Sequence, residues 1–423
     1  MRVRTIFALW LPLAISFELM MLEGPAVQGA MGRLPQSQLH LASWGLTMSI
    51  ALILESPVIM LLSTSIALVS DKQAFRALRR FVLNMLLVCT VITALVIFTP
   101  LFDFVAGTLM GQPAEIVQAS RPAMQIMLLW TAAIGWRRFY QGILIRYGKT
   151  HFVTFGTAIR LCATVIPAVL LARSGTVPGV QVGAIALMCA VITEAIATTI
   201  FATNTIRYAL PDAEPDSVPL TQRAILKFHA PLAATTLLTL LTLPLTAAAL
   251  AKLPHPEMTL AAWPVAAMIL LIIRGFCFAI QEISVAQALK PESRRALRKF
   301  TLCVGTVTTL FTLIFVATPL LDLYTDTVLA LPPHLKDSVR TGVGIAFLVP
   351  LLTALSSWVR GILVATKKTQ TVYVGMGLNL GTHIALLILG VAFQASGMVI
   401  AAVSMTVAAT VEYIYLVRKT AHR

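Results

Sequence analysis

Apolar runs of membrane-crossing length, separated by short polar breaks, recur along the whole chain. Their spacing predicts helices over about residues 5–28, 40–70, 81–108, 118–146, 152–173 and 180–208, and again over 223–252, 259–288, 300–326, 337–366, 371–394 and 396–418. A bilayer core takes about 20 apolar residues per helix, so each run is long enough to cross it. The alternating strands of about 10 residues that would mark a membrane barrel are absent from the pattern. One break differs from the rest: over residues 210–222, Pro211, Pro215 and Pro219 alternate with Asp212, Glu214 and Asp216, a segment that can be neither helical nor buried. The expected organisation is therefore a six-helix lobe over 1–209, a linker over 210–222 and a second six-helix lobe over 223–423.

The two lobes are copies of one unit. Ala77-Leu78-Arg79-Arg80-Phe81 returns in the second half as Ala296-Leu297-Arg298-Lys299-Phe300. The offset between these two stretches also carries Pro12 to Pro231, Pro25 to Pro244, Trp44 to Trp263, Asp103 to Asp322, Gly142 to Gly361 and Gly156 to Gly375; one deletion later Glu194 meets Glu412. An even number of helices per repeat gives both copies the same orientation. The predicted fold is an all-α polytopic membrane protein, with twelve transmembrane helices in two parallel six-helix repeats and a substrate path between them near mid-membrane.

Composition agrees: 58% of residues are hydrophobic, 12% are charged, and the mean hydropathy is +0.87. The formal charge of +15 does not indicate nucleic acid, because the cations sit in short clusters between apolar runs. With the N-terminus inside, the inner breaks hold 22 Lys and Arg and the outer ones 6, which leaves Arg137, Arg138, Arg160 and Arg274 within the membrane. Both termini are predicted cytoplasmic, in a plasma membrane or bacterial inner membrane. The opening Met1-Arg2-Val3-Arg4 reads as the start of an uncleaved first helix, because no small-residue cleavage site follows. Cys89, Cys162, Cys189, Cys277 and Cys303 lie in apolar runs without Cys-x-x-Cys spacing, so neither a disulfide framework nor a metal site is expected.

The seven aspartates all fall in breaks or at helix ends, and the acids inside the runs are glutamates. An unpaired charge near the bilayer centre costs about 2.5–3.5 kcal/mol on the mildest scale, so these groups must be paired, neutral or wet. Glu18, Glu23 and Glu55 are the candidates for proton or cation coupling; acidity on the first helix belongs to the first repeat alone, where the partners of Glu18 and Glu23 are Leu237 and Thr242. Glu55 and Arg274 occupy equivalent positions with opposite charge and are a candidate inter-lobe pair, the alternative being that each is satisfied within its own lobe. Arg138, Arg160, Arg274, Glu282, Asn379 and His383 are the candidate substrate-binding residues; arginine forks suit carboxylate or phosphate. Arg137 and Arg138 also read as a pair reaching towards lipid phosphate. The repeated Glu194 and Glu412 point to a structural role, and Gly377-x-x-x-Gly381 allows close helix approach.

Several stretches resemble known families. The doubled six-helix pattern with basic second breaks is similar to the multidrug, oligosaccharide-lipid and polysaccharide exporter (MOP) superfamily, which includes the multidrug and toxic compound extrusion (MATE) transporters. Leu11-Pro12-Leu13, Leu41-Ala42-Ser43-Trp44-Gly45-Leu46 and Trp136 followed by Gly142-Ile143-Leu144 resemble the progressive ankylosis protein family. The first resemblance implies two lobes with Glu18, Glu23, Glu55 and Arg274 near the cleft; the second implies export of a small multivalent anion such as citrate, pyrophosphate or a nucleotide. The seventh helix departs from the acidic form in some multidrug members, for residues 226–252 contain no Asp or Glu. The expected function is a secondary active transporter exporting such an anion by alternating access, coupled to H+ or Na+, monomeric and without a cofactor. No phosphate-cradling loop is present to use ATP. The alternatives are a cation-coupled multidrug or lipid-linked glycan exporter and, more remotely, a membrane-embedded transferase, for which the aspartate positions are unsuitable.

Overall fold

A computed structural model of the chain describes residues 3–213, 219–327 and 333–421. Glu214, Pro215 and Asp216 of the linker, and Arg2 and Arg423 of the charge pattern, lie outside the described residues. The first half forms α1 (Val3–Met31), α2 (Ser37–Ile59), α3 (Leu61–Leu68), α4 (Lys72–Phe98), the short α5 (Leu101–Asp103), α6 (Ala114–Ile126), α7 (Trp130–Arg146), α8 (Thr150–Ser174) and α9 (Gly179–Tyr208). The second forms α10 (Gln222–Leu250), α11 (Pro256–Gln287), α12 (Pro291–Ala317), α13 (Leu320–Thr327), α14 (Pro333–Ile345), α15 (Val349–Ala365), α16 (Thr369–Ala392) and α17 (Gly397–Ala421). No strand occurs among the described residues.

Ten of these elements, with α2 and α3 taken together, are long and apolar enough to cross a membrane, and α14 with α15, bent by 42°, makes an eleventh. The twelfth is α6 with α7, whose first and last residues are the repeat equivalents of those of α14 and α15, position for position. Arg121, Arg137 and Arg138 lower its hydropathy.

The main departure from the predicted boundaries is α4, which begins at Lys72 rather than near residue 81. Asp71 caps it by accepting the Ala74 N–H at 2.8 Å, and Ala74, Phe75 and Leu78 are buried while Arg76, Arg79 and Arg80 face out, so the basic stretch is amphipathic helix. The linker starts against it: the Lys72 N–H donates to the Pro211 carbonyl at 3.0 Å, and Lys72 Nζ meets Asp212 at 2.9 Å. Pro57 lies close to the break between α2 and α3. Its repeat counterpart, Phe276, keeps its N–H, and α11 runs unbroken.

Contacts repeat as faithfully as residues do. A Cβ on Gly142 would stand 2.5 Å from the Ser65 Cβ, and one on Gly361 2.3 Å from the Cβ of Ser284, the repeat equivalent of Ser65. At both glycines a neighbouring backbone carbonyl also lies within 2.7 Å of that Cβ, so each sits at a close helix crossing, whereas Cβ atoms on Gly377 and Gly381 would meet nothing within 4 Å, so that motif is not used for close approach here. Arg121 pairs with Asp103 at 2.6 Å, and their repeat equivalents Arg340 and Asp322 pair at 2.7 Å.

The chain divides into two compact units, Glu18–Ala233 on one side and Met1–Phe17 with Ala234–Arg423 on the other. Each repeat therefore lends the start of its first helix to the other unit. In the unit built mainly from the second repeat, Trp10 of α1 donates from Nε1 to the Phe276 carbonyl at 2.9 Å and packs edge-on to Phe300 at 5.2 Å. In the unit built mainly from the first, His229 of α10 bonds through Nε2 to the Pro57 carbonyl at 2.8 Å and packs edge-on to Phe81 at 5.8 Å. Trp10 and His229 are repeat equivalents, as are Phe276 and Pro57, and Phe300 and Phe81. One contact has thus been made twice with different chemistry.

Gly142→Ala and Gly361→Ala are each expected to destabilise the protein by about 1–3 kcal/mol through overpacking. Gly377→Ala should leave stability unchanged or raise it, by up to about 1 kcal/mol of helix propensity. Thermal unfolding of the three variants in detergent checks this, and equal behaviour of all three would contradict the crossing.

Candidate functional site

The unit formed by Glu18–Ala233 holds a cavity of about 370 Å³. α1 contributes Met20, Glu23 and Gln28 to its wall, α2 contributes Trp44, Met48 and Glu55, α7 contributes Trp130 and Arg137, and α8 contributes Arg160. The charged members are buried: Glu23 and Glu55 are each 6% exposed, Arg160 4% and Arg137 1%. Such groups persist in a membrane interior only if their neighbours neutralise them.

Glu194 on α9 does much of that work. Its Oε2 accepts Arg137 Nη1 at 2.6 Å and a longer 3.5 Å contact from Arg160 Nη1; its Oε1 accepts Gln141 Nε2 at 3.1 Å and Thr157 Oγ1 at 3.2 Å. Arg160 also reaches α1, donating from Nε to Glu23 Oε1 at 3.0 Å and from Nη2 to Glu23 Oε2, while Thr164 Oγ1 donates to Glu23 at 2.5 Å. A forked guanidinium between two carboxylates thus ties α1, α8 and α9 together. Glu55 is held differently. It takes its hydrogen bond from a neutral donor, Trp130 Nε1, at 2.7 Å, and the Arg160 guanidinium lies 5.9 Å from the centre of the same indole ring. Of the three acids, Glu55 can therefore gain and lose a proton without breaking one of these arginine pairs.

The other unit repeats the anchoring half of this arrangement. Glu412 on α17 accepts Arg360 Nε at 2.7 Å through Oε1 and Asn379 Nδ2 at 2.8 Å through Oε2. Arg360 and Asn379 are the equivalents of Gln141 and Arg160, so the same two positions serve the same carboxylate in each unit. In the second unit the charge comes from the first of these positions, and in the first unit from the second. No equivalent of Arg137 or Glu23 is present, since Ser356 and Thr242 stand there.

The predicted site residues are distributed accordingly. Glu23, Glu55 and Arg160 come together in the first cavity; Glu18 is half-buried one turn before Glu23, with its Oε1 buried and without a hydrogen-bond partner, and Arg138 is half-buried beside Arg137. Arg274, Glu282, Asn379 and His383 belong to the other unit. There they serve separate contacts: Arg274 donates from Nε to Thr353 at 2.8 Å and covers Phe278 at 5.5 Å, Asn379 serves Glu412, and His383 Nε2 meets Thr246 Oγ1 at 2.8 Å. Glu282 is buried on α11. Glu55 and Arg274 are thus each engaged within their own unit. Arg137 does not reach towards a lipid surface; it is among the most buried large side chains. Trp130 and Thr164 were not singled out from the sequence, and Trp44 only as a repeat and family landmark, because an indole or hydroxyl in an apolar run carries no mark of its partner. Among the described residues no three His, Cys, Asp or Glu side chains converge to hold a metal ion.

No family model matches the chain, and no curated protein matches it. Solved structures do. The eukaryotic MATE transporter AtDTX14 superposes with a TM-score of 0.80 at 13% identity, over 99% of this chain and 95% of that one. A mutant of the Vibrio cholerae MATE transporter VcmN gives 0.77 at 15%, over 100% and 97%. A MOP superfamily transporter of Pyrococcus furiosus, described by a binding pocket of reverse polarity that suggests a different function, gives 0.74 at 16%, over 99% and 95%.

Removing the Glu194 charge should strand Arg137, while Arg160 keeps its pair with Glu23. Glu194→Gln is expected to cost about 3–5 kcal/mol, and adding Arg137→Gln should recover part of that loss. A double-mutant cycle on thermal unfolding measures the coupling; strictly additive losses would mean that the two do not act as a pair. With this fold, the chain is structurally similar to the MATE and MOP transporters along nearly its whole length.

Proposed function

We propose that the chain is a secondary active exporter in a plasma membrane or bacterial inner membrane, with cytoplasmic termini, and that Glu55 is the carboxylate at which proton and substrate exchange. The observation that carries this is the contrast within one cavity: Glu23 and Glu194 are committed to arginines, while Glu55 is held by an indole N–H. An intramembrane acid of this kind is a proton site by default, and a proton and a cation competing for it give antiport. Glu18 and Glu23 lie on the same helix and complete the acidic side of the site.

The cavity walls bear on the charge of the substrate. Arg137 and Arg160 already hold carboxylates, so an anion would have to displace one of them. Glu55, held by the Trp130 indole in a cavity whose wall also includes Trp44, offers a carboxylate in aromatic surroundings, which suit an amphipathic organic cation. This favours cation-coupled export of the multidrug kind. The second reading is the small anion expected from the arginines and from the likeness to the progressive ankylosis family. It is favoured by the Arg160 fork, in which the Glu23 carboxylate occupies the place that a substrate carboxylate or phosphate would take. Pocket polarity differs among proteins of this fold, as the description of the Pyrococcus furiosus transporter says of that protein, so the sign has to be measured.

Purified protein in liposomes with an imposed pH gradient, offered a cationic dye, citrate or pyrophosphate, makes that measurement. The dye is expected to accumulate against its gradient only while the pH gradient lasts. Glu55→Gln, which keeps the acceptor for Trp130 but removes the charge for which proton and cation compete, should abolish that accumulation, and undiminished accumulation in this variant would remove Glu55 from the role. Transport of citrate or pyrophosphate instead would transfer the assignment to the second reading, and movement of none of the three would count against transport.

A further inference from the structure

α4 opens with three arginines on one face. Arg76, Arg79 and Arg80 are exposed, and among the described residues none of them forms a salt bridge. With Leu83 and Asn84 they line a surface cavity of about 340 Å³. Positions 76, 80, 83 and 87 follow the helical spacing of a single stripe, and the lower part of that stripe is apolar: Leu83 is 45% exposed and Leu87 66%. The chain repeats the device. Arg295, Arg298 and Lys299 stand exposed at the same register on α12, followed on the stripe by exposed Leu302 and then by Thr306, where the first copy has Leu87. Clustered cations above outward apolar side chains, at the end of a membrane-crossing helix and in no salt bridge among the described residues, match a ligand with a phosphate head and hydrocarbon tails.

We infer that each triplet is a seat for an anionic phospholipid, with the phosphodiester between the cationic heads and an acyl chain along the stripe below. Guanidinium forks hold phosphate oxygens through paired hydrogen bonds, and juxtamembrane cations are attracted to an anionic leaflet. The apolar stripe separates this ligand from free phosphate, which has nothing to place there. The clustering of three heads at one point separates a seat from diffuse attraction to the leaflet.

Native mass spectrometry of the full chain, released from nanodiscs containing phosphatidylglycerol and phosphatidylcholine, tests the inference. Two retained phosphatidylglycerols per chain are expected, one of them lost in Arg76→Gln/Arg79→Gln/Arg80→Gln and the other in Arg295→Gln/Arg298→Gln/Lys299→Gln. Excess inorganic phosphate should displace neither. Retention of both lipids in the two triple variants, equal retention of phosphatidylcholine, or displacement by inorganic phosphate would each overturn it. Should one triple variant fail to fold, the other decides, since each seat is read separately.

Discussion

A carboxylate in a membrane interior is tolerable only with donors already in place, and much of this structure follows from that requirement at Glu194 and Glu412. Each sits on the last helix of its repeat, and each receives one donor from the helix two before it and one from the helix immediately before it. Three helices are thereby fixed at a common depth by an interaction that weakens steeply if any of them shifts. The anchor is duplicated, but its charge is not placed at the same position in the two copies. A carboxylate tolerates that exchange because an amide and a guanidinium can both donate to it.

Onto this anchor only the first repeat adds a further arginine, Arg137, and further acids, Glu23 and Glu55. The second arginine neutralises more acid than the anchor needs, which allows Arg160 to reach across to α1 and leaves Glu55 to an indole. Asymmetry between the copies therefore arises from a few substitutions around a repeated contact, and the polar cavity lies in the unit where they occurred.

The duplication was legible at once, because one constant offset relates matching prolines, tryptophans, glycines and acids in the two halves. The crossings at Gly142 and Gly361 and the paired Asp103–Arg121 and Asp322–Arg340 bridges obey the same offset. That glutamates within apolar runs are buried could also be read, and it holds for Glu23, Glu55, Glu194, Glu282 and Glu412, while Glu18 is half-buried. Their donors could not. Asn379 looks like a substrate ligand in isolation and proves to be occupied by Glu412, because helix rotation, which no apolar run encodes, decides which side chains meet. The start of α4 was misplaced for a related reason: a basic stretch reads as a loop until its buried Ala74, Phe75 and Leu78 are seen to form one face.

The reciprocal contacts of Trp10 and His229 bear on how such a chain could have arisen. Each unit is completed by a segment encoded in the opposite half, so a six-helix chain on its own would lack the piece that fills its groove. Two such chains would supply each other by trading their first segments, the arrangement of a domain-swapped homodimer. In one covalent chain that exchange is internal, and the two copies of the contact need not stay alike: tryptophan makes it in one unit and histidine in the other.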